Sequence, residues 1–296
     1  MTYAQFLELF PDNDVCLEYL KAKFFADGTE CPKCGKPSKF FRVTGRSAYS
    51  CQYCRHHVYP TAGTIFHKST VSLQLWFWAM YLMSSTRCGI SAKHLEREIG
   101  VTYKTAHRMF KQIRTLLGQD KEPLEGKVEV DETGYGGKPK AYDTISMTRP
   151  EAIAWAKARK TPVLGMVERQ GRIKIQVQKD RTEKVVDTVR EHVLPTSMVF
   201  TDDWSGYKML HKTHKHHKRV RHSEKVYAEG DVHTNTIEGF FGNLKNGIRG
   251  VYHSVSREYL QNYLDEYAWR YNHRDDSTPI FWTILDQVQK DRLVAP

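Results

Sequence analysis

The chain has 296 residues, 40% of them apolar, which is enough to bury one large core or two to three smaller ones. Lysine and arginine exceed aspartate and glutamate by 45 − 34 = 11, a charge that favours a polyanionic partner such as nucleic acid or, less often, an acidic membrane surface. The longest apolar run, Val71–Met83, is shorter than the roughly 20 residues of a membrane-spanning helix, and no secretory signal is visible, so we expect a buried helix in a cytoplasmic protein with reduced thiols and no membrane partner.

Two C-x-x-C pairs dominate residues 1–62. Cys31 and Cys34 form the first pair and Cys51 and Cys54 the second, with 51 − 34 − 1 = 16 residues between them. This spacing lets two turns present four thiolates tetrahedrally to one structural zinc ion, and the alternating residues between the pairs predict a short hairpin. The alternatives are two disulfides, or free thiols that bind no metal. We therefore expect N-terminal helices and a zinc ribbon.

Residues 63–122 are predicted to form a helical block. After the apolar helix, the sequence indicates a short helix, a break at Gly100 and a second helix that starts near Thr102. This is the length and rhythm of a helix-turn-helix, although helix pairs of this pattern also occur as plain packing units. As a DNA-reading element, the second helix would offer Tyr103, Lys104, Thr105, His107 and Arg108 to a groove or to the DNA backbone.

From residue 123 onward the pattern changes to that of strands. Asp131 ends the first strand, and Asp202 or Asp203 ends a later strand. Three strands, a helix, an acid-tipped strand and a helix that carries Glu238 follow the order of an RNase H-like sheet. The carboxylates at the strand ends are therefore expected to meet at one edge of the sheet.

Clustered carboxylates raise one another's pKa unless cations neutralise their charge. Mg²⁺ and Mn²⁺ prefer carboxylate oxygens, and two such ions about 4 Å apart can promote phosphodiester displacement. Surface acids at strand ends are also common without a metal. The order of three acids along this chain favours a site for two catalytic ions.

The segment HTNTIEGFFGNLKNG predicts a helix that Thr234 or Asn235 can cap. Glu238 and Lys245 are 245 − 238 = 7 residues apart and thus lie on one face, two turns apart. The predicted helix contains three glycines, Gly239, Gly242 and Gly247. Because a glycine inside a helix costs about 1 kcal/mol relative to alanine, we expect something to approach this backbone closely. The alternative is a frayed helix or a loop.

Three motifs carry a family resemblance. The segments VEVDET with the following YGGK, VFTDDWSGY, and HTNTIEGFFGNLKNGIRGVYHSVSREYLQNYLDEYAWRYNHR resemble the DDE transposases of bacterial insertion sequences, in the group with an N-terminal zinc ribbon. The resemblance covers nearly the whole chain. It implies a multi-domain protein with a small zinc ribbon, a helix-turn-helix block, an α/β RNase H-like catalytic domain over residues 123–275 and a C-terminal tail over residues 276–296. It also implies two metal ions, cleavage that frees 3′-hydroxyls at transposon ends, and their transfer to target DNA.

The resemblance also implies the catalytic residues. Asp131 matches the first acid, and Asp202 matches the second, with its neighbour Asp203 as the lesser candidate. Glu238 matches the third, since 238 − 202 − 1 = 35 residues separate it from the second acid, as in many DDE enzymes. In some relatives the asparagine of the H-T-N motif is the third catalytic residue, which would here be Asn235.

Lys245 resembles the basic residue that contacts the terminal phosphates, and Arg249 is a further DNA-binding candidate one turn beyond it. Double-stranded DNA, as transposon ends and target, is then the expected partner, and pairing of two ends implies a homodimer or larger assembly in a nucleoid-associated protein. Two other functions remain open at this point: a domesticated DNA-binding regulator and a structure-specific nuclease on the same fold.

Overall fold

A computed structural model describes residues 1–118, 121–136, 146–179, 185–220 and 232–289. Gly137 and Lys138 of the YGGK motif and residues 290–296 of the expected C-terminal tail lie outside the described residues. The chain divides into two compact units. Unit 1 comprises Met1–Leu116 and Asp276–Pro296, and unit 2 comprises Leu117–Asp275.

The α-helices of the described residues are α1 (Tyr3–Leu9), α2 (Asn13–Phe24), α3 (Leu73–Ser85), α4 (Ala92–Ile99), α5 (Tyr103–Arg114), α6 (Arg149–Arg159), α7 (Val185–His192), α8 (Asn235–Gly247), α9 (Leu260–Asn272) and α10 (Ile280–Asp286). The strands are β1 (Thr29–Glu30), β2 (Pro37–Ser38), β3 (Phe40–Arg42), β4 (Tyr49–Cys51), β5 (His57–Val58), β6 (Lys127–Tyr135), β7 (Thr161–Glu168), β8 (Ile173–Val177), β9 (Met198–Thr201) and β10 (His216–Arg219).

An aromatic core holds the helices of unit 1 together. The buried ring of Phe10 contacts the rings of Phe77 on α3 and Phe281 on α10. Helix α10 therefore packs into this core, so part of the segment expected to be a tail is an integral element of unit 1. In the described residues, no helix combines the length and apolar character needed to cross a membrane.

Helices α4 and α5 form the predicted pair. Helix α4 ends at Gly100, whose φ of 68° lies in the left-handed region that glycine tolerates, and Thr102 caps α5 by accepting a hydrogen bond from the amide of Thr105. The inner side of α5 is apolar and buried, with Ala106, Met109, Phe110 and Ile113.

Unit 2 is built on a five-stranded sheet in the order β10-β9-β6-β7-β8. Strand β7 runs antiparallel to its neighbours β6 and β8, whereas β9 is parallel to β6 and to β10. Strands β7 and β8 form a hairpin, with Gln170 at a φ of 62° in its turn. One apolar cluster joins the sheet to α7, and a second joins it to α8 and α9.

A glycine on β7 sets the distance between α8 and the sheet. Gly165 pairs with Asp131 on β6, and a Cβ built at Gly165 would lie 2.6 Å from Cδ1 of Ile237 and 2.8 Å from Cζ of Phe241. Both of those side chains belong to α8. The side chains of Ile237 and Phe241 can therefore lie directly against the strand opposite Asp131 because residue 165 has no side chain.

Gly165→Ala is expected to lower the free energy of unfolding by about 1–3 kcal/mol, because the added methyl overfills this contact. Urea denaturation followed by tryptophan fluorescence measures the change. Gly239→Ala is the matched control, since a Cβ there meets nothing within 4 Å and alanine favours a helix by up to about 1 kcal/mol. Equal stability of the Gly165→Ala variant and the wild type would contradict close packing of α8 on β7.

Candidate active site and metal centres

The four cysteines of the two C-x-x-C pairs come together in unit 1. The Sγ atoms of Cys31, Cys34, Cys51 and Cys54 all lie within 4.8 Å of one another, with 3.7 Å between Cys31 and Cys54 and 3.9 Å between Cys34 and Cys51. A tetrahedron with Zn–S bonds of about 2.3 Å has sulfur–sulfur edges of roughly 3.8 Å. The cluster, called here the four-cysteine site, therefore fits one structural zinc ion.

Each cysteine pair forms a tight turn. The amide of Gly35 donates to the carbonyl of Cys31, and the amide of Arg55 donates to the carbonyl of Cys51 in the same way. Both turn residues have positive φ, 68° at Gly35 and 58° at Arg55. The predicted hairpin between the pairs is confirmed, since β3 and β4 are antiparallel, and it brings the second turn against the first.

Three carboxylates cluster in unit 2. Among the described residues, Asp131, Glu132 and Asp202 each offer an oxygen within 4.8 Å of the other two, and we call them the acidic cluster. The prediction that Asp131 ends its strand is wrong, because β6 continues to Tyr135 in its pairing with β7. Only the pairing of β6 with β9 stops early, at Glu129, and Asp202 directly follows β9. The three carboxylates therefore lie close together beyond the last β6–β9 pair. Asp203 is exposed and does not belong to the cluster.

Like charges repel one another in the acidic cluster. Burial, followed by the charges of Glu132 and Asp202, raises the pKa of Asp131 to about 7, and the charge of Glu238 acts in the same direction. A divalent cation among these oxygens would remove that penalty, and an all-carboxylate donor set suits a hard ion such as Mg²⁺ or Mn²⁺.

The TDDWSGY motif positions two of these acids. The backbone amide of Trp204 donates to Oδ1 of Asp202 over 3.0 Å, and the hydroxyl of Tyr207 donates to Oε2 of Glu132 over 2.6 Å. Tyr207 is fully buried, and its burial and the charge of Glu132 hold its pKa well above the usual range, so its hydroxyl stays a donor. The motif thus orients the carboxylates as well as supplying one of them.

Helix α8 carries the remaining predicted residues. Asn235 is its first residue and is exposed, and Glu238 lies one turn later, outside the acidic cluster but close enough to influence the pKa of Asp131. Oε1 of Glu238 accepts a hydrogen bond of 2.8 Å from the hydroxyl of Thr234. The charge of Asp131 also acts on Lys245, farther along the same helix.

The predicted cap of α8 is wrong. Neither Thr234 nor Asn235 caps the first turn with its side chain, because the Thr234 hydroxyl is directed to Glu238. The carboxylate of Glu129 on β6 instead accepts hydrogen bonds from the amides of Thr236 and Ile237. The cap therefore comes from a strand about a hundred residues earlier in the chain.

Lys245 lies in a basic environment beside the acids. Burial, followed by the charges of Lys160 and Arg249, lowers its pKa, and the charge of Asp131 opposes this shift. Its Nζ lies 5.9 Å from the ring centre of Phe241, while Arg249 is exposed one turn later. The face of α8 next to the acidic cluster therefore becomes basic toward its C-terminal end.

The three glycines of α8 have different surroundings. A Cβ at Gly239 or Gly242 would meet nothing within 4 Å, so these two positions are open. At Gly247 a Cβ would collide with the hydroxyl of Tyr267 on α9. Our expectation of an external approach is thus wrong for Gly247, where an internal side chain fills the space.

Glu132 is the residue of the cluster that the sequence analysis missed. It directly follows Asp131, and alternation along a strand directs neighbouring side chains to opposite faces. The available signal was the adjacent pair of acids in VDET together with a tyrosine in the next acidic motif. In the structure an oxygen of Glu132 nevertheless lies within 4.8 Å of an oxygen of Asp202, beyond the last β6–β9 pair.

On α5, the predicted DNA-reading residues lie away from the buried side. Tyr103, Lys104 and Arg108 are exposed, and Thr105 and His107 are half-buried. The hydroxyl of Thr105 lies 3.0 Å from that of Thr102 at the helix start.

The described residues thus include a four-cysteine site in one unit and an acidic cluster on a mixed sheet in the other. Residues 123–272, which are 272 − 123 + 1 = 150 residues and half of the chain, match the ISXO2-like transposase domain. Residues 11–57 match the transposase zinc-ribbon domain. The chain belongs to the family of insertion-sequence transposases that these two domains define, which confirms the resemblance seen in the sequence.

Two relatives illustrate this membership. The chain is 28% identical over 257 residues to a Halobacterium salinarum protein described as an uncharacterized protein in transposable element ISH50, covering 82% of this chain and 85% of that protein. It is 32% identical over 106 residues to an uncharacterized transposase-like protein of Haemophilus influenzae, covering 36% of this chain and 83% of that protein. No solved structure shows significant similarity to the chain.

Cys34→Ser is expected to abolish stoichiometric zinc binding and to expose the ribbon to protease, because a structural zinc ion supplies much of the folding free energy of so small a core. Elemental analysis of the purified protein and limited proteolysis measure these effects. Cys88→Ser is the control, since Cys88 is an exposed cysteine outside the four-cysteine site, and it should retain one zinc ion per chain. Full zinc content in Cys34→Ser would contradict the assignment.

Asp131→Asn is expected to stabilise the protein in EDTA at pH 8. The folded pKa of about 7 lies above the unfolded value of about 3.9, so the wild type loses stability as pH rises from about 4 to about 7, and asparagine removes that loss. At about 1.4 kcal/mol per pKa unit and about 2–4 °C per kcal/mol, the expected gain in Tm is on the order of 10 °C.

The gain should vanish at pH 4, where the aspartate is protonated, and should reverse in Mg²⁺, because an amide would hold such an ion less well than a carboxylate. Thermal unfolding at both pH values, with and without metal, measures these differences. Asp203→Asn is the control, because Asp203 lies outside the acidic cluster. A Tm of Asp131→Asn that matches the wild type in EDTA at pH 8 would contradict the electrostatic penalty.

Proposed function

We propose that the chain is a DDE-type DNA transposase that binds the terminal inverted repeats of an insertion sequence, cleaves at the ends and transfers 3′-hydroxyl strands into target DNA. The observation that carries this proposal is the acidic cluster of Asp131, Glu132 and Asp202 in the domain that matches the transposase family. A carboxylate cluster in which one member has an elevated pKa is typical of metal-dependent phosphoryl transfer.

The catalytic unit has an RNase H-like fold in this proposal. The strand order supports this fold. Strands β6, β7 and β8 are antiparallel, and β9 and β10 extend the sheet on the other side of β6, parallel to it. The pair α4 and α5 is a helix-turn-helix, supported by the turn at Gly100 and by the exposed polar side of α5.

Divalent ions, when bound, supply activation of the attacking oxygen and stabilisation of the leaving oxygen. Asp131 and Asp202 are the carboxylates that would hold two Mg²⁺ or Mn²⁺ ions, with Glu132 as a further oxygen donor held by Tyr207. Glu238 is the third acid, and its influence on Asp131 supports that role. Asn235, one turn earlier on α8, is the alternative third residue and can offer only a neutral oxygen.

The proposed DNA contacts lie on both units. In unit 1, the residues are Tyr103, Lys104, Thr105, His107 and Arg108 of α5. In unit 2, Lys245 and Arg249 contact phosphates near the cleavage position, and the open positions Gly239 and Gly242 leave room for a DNA strand along α8. Binding of two transposon ends implies a homodimer or larger assembly on DNA, and hence a nucleoid-associated protein in the cytoplasm.

Strand transfer by the purified protein should require Mg²⁺ or Mn²⁺ and fail in EDTA, measured with a labelled terminal-repeat duplex and a target plasmid. Asp202→Asn should lower the rate about 10³-fold or more, because loss of a metal ligand removes several kcal/mol of transition-state stabilisation at about 1.4 kcal/mol per tenfold. Asp203→Asn is the control and should retain activity.

Two further variants decide the third position. Loss of joining in Glu238→Gln with activity retained in Asn235→Ala supports the glutamate, and the reverse result assigns the asparagine. Wild-type protein that binds the terminal repeats but never joins them would overturn the enzyme proposal in favour of a regulator. Metal-dependent cleavage of four-way junctions without preference for end sequences would favour a nuclease.

A further inference from the structure

A buried carboxylate lies two residues before Asp131 on β6 and belongs to no metal-binding group described above. Glu129 has no exposed surface, although an unpaired buried carboxylate is strongly destabilising. Its position beneath the N-terminal end of α8 connects the strand of the first acid with the helix of the third.

Hydrogen-bond donors surround this carboxylate. Oε1 accepts from Nε of Arg169 over 2.8 Å and from the hydroxyl of Thr236 over 2.9 Å, and Nδ1 of His233 lies 3.2 Å away. Oε2 accepts from the amides of Thr236 over 2.8 Å and Ile237 over 3.1 Å. The carboxylate therefore uses both oxygens, one of them entirely for the first turn of α8.

Arg169 extends the contact to the segment before the helix. Its guanidinium donates to the carbonyl of His233 over 3.0 Å and lies 4.3 Å from the ring centre of Phe200 on β9. The backbone amide of Arg169 donates a hydrogen bond to the carbonyl of Lys127 on β6. The pair of Glu129 and Arg169 thus links β6, β9 and the end of β7 to the first turn of α8 and to the segment just before that helix.

Helix α8 has no side-chain cap within its own segment. The Thr234 hydroxyl at its N-cap position is bonded to Glu238, so the first free amides of the helix are satisfied by Glu129. A carboxylate at this end also interacts favourably with the helix dipole. The start of α8, including Asn235 and Glu238, is therefore fixed relative to β6 at a point two residues from Asp131.

We propose that Glu129 is a positioning residue that aligns α8 with the acidic cluster, so that the third metal-binding side chain and the carboxylates of Asp131 and Asp202 reach one site. The inference rests on the proposed function for its catalytic consequence, although the alignment itself is a property of the fold. Glu129 is fully buried and acts through α8.

Glu129→Gln tests the proposal, because glutamine keeps the shape but directs an NH₂ group toward surrounding donors. Amide exchange at residues 236–241 should become about 10-fold faster or more, and Mn²⁺ affinity should fall about 10-fold. Strand transfer should slow about 10²-fold while the Kd for the terminal-repeat duplex stays within about 2-fold, since misplacement by about 1 Å is enough for such a loss of rate.

Glu168→Gln is the matched control. Glu168 is also a buried β-strand carboxylate that accepts backbone amides, those of Glu125 and Arg172, and pairs with the guanidinium of Arg172. It holds the β7–β8 hairpin and not α8. Its substitution should lower thermal stability comparably but leave exchange in α8, Mn²⁺ affinity and joining rate near wild-type values.

The outcomes separate the two proposals. Unchanged exchange in α8 of Glu129→Gln, or a joining rate equal to that of Glu168→Gln, overturns the positioning role. If wild-type protein performs no metal-dependent joining, the proposed function fails, and exchange together with Mn²⁺ affinity decides the positioning role: both must change in Glu129→Gln and neither in the control. If Glu129→Gln does not fold, Arg169→Lys, which keeps the charge but loses the fork to Glu129 and His233, is expected to give the same pattern in weaker form.

Discussion

The close approach of α8 to the central sheet is the constraint on which the candidate site depends. Gly165, directly opposite Asp131, leaves the space that Ile237 and Phe241 occupy. Glu129 then fixes the start of the helix by accepting two of its free amides. Because one contact sets the distance and the other the longitudinal position, Glu238 is held where its charge acts on Asp131. A side chain at residue 165 or an amide at residue 129 would disturb the same alignment by different means.

Electrostatics explain why this arrangement suits a cation. The acidic cluster holds like charges together, and a hydroxyl from Tyr207 and a backbone amide from Trp204 orient two of its carboxylates. The raised pKa of Asp131 shows that burial and repulsion outweigh the favourable contacts of that carboxylate. By contrast, the buried Glu129 is paired with Arg169. Two kinds of carboxylate thus lie two residues apart on one strand: one is neutralised inside the fold and acts structurally, and the other carries a penalty that an external ion can relieve.

The sequence predicted much of the local structure and the residue types of the site. The cysteine spacing predicted the four-cysteine site, and alternation predicted the hairpin between the two cysteine pairs. Prediction from the sequence failed where residues of the same type differ only in their tertiary surroundings. Gly247 is filled from inside by Tyr267, whereas Gly239 is open, and the pattern of the helix treats them alike. Strand alternation predicts that Glu132 lies on the opposite face from Asp131, whereas both residues belong to the acidic cluster.

By itself, the sequence determined the features set by short spacings: four thiolates in two turns, the helices and strands, the order of the acids and membership of a transposase family. Their geometry follows from backbone conformation over a few residues, so a single segment is sufficient to specify it. Only the tertiary structure decided which acids share oxygens within 4.8 Å, that residues 280–286 complete the core of unit 1, and that the cap of α8 lies 107 residues away. Those contacts depend on strand pairing and helix packing between distant segments, which no local pattern contains.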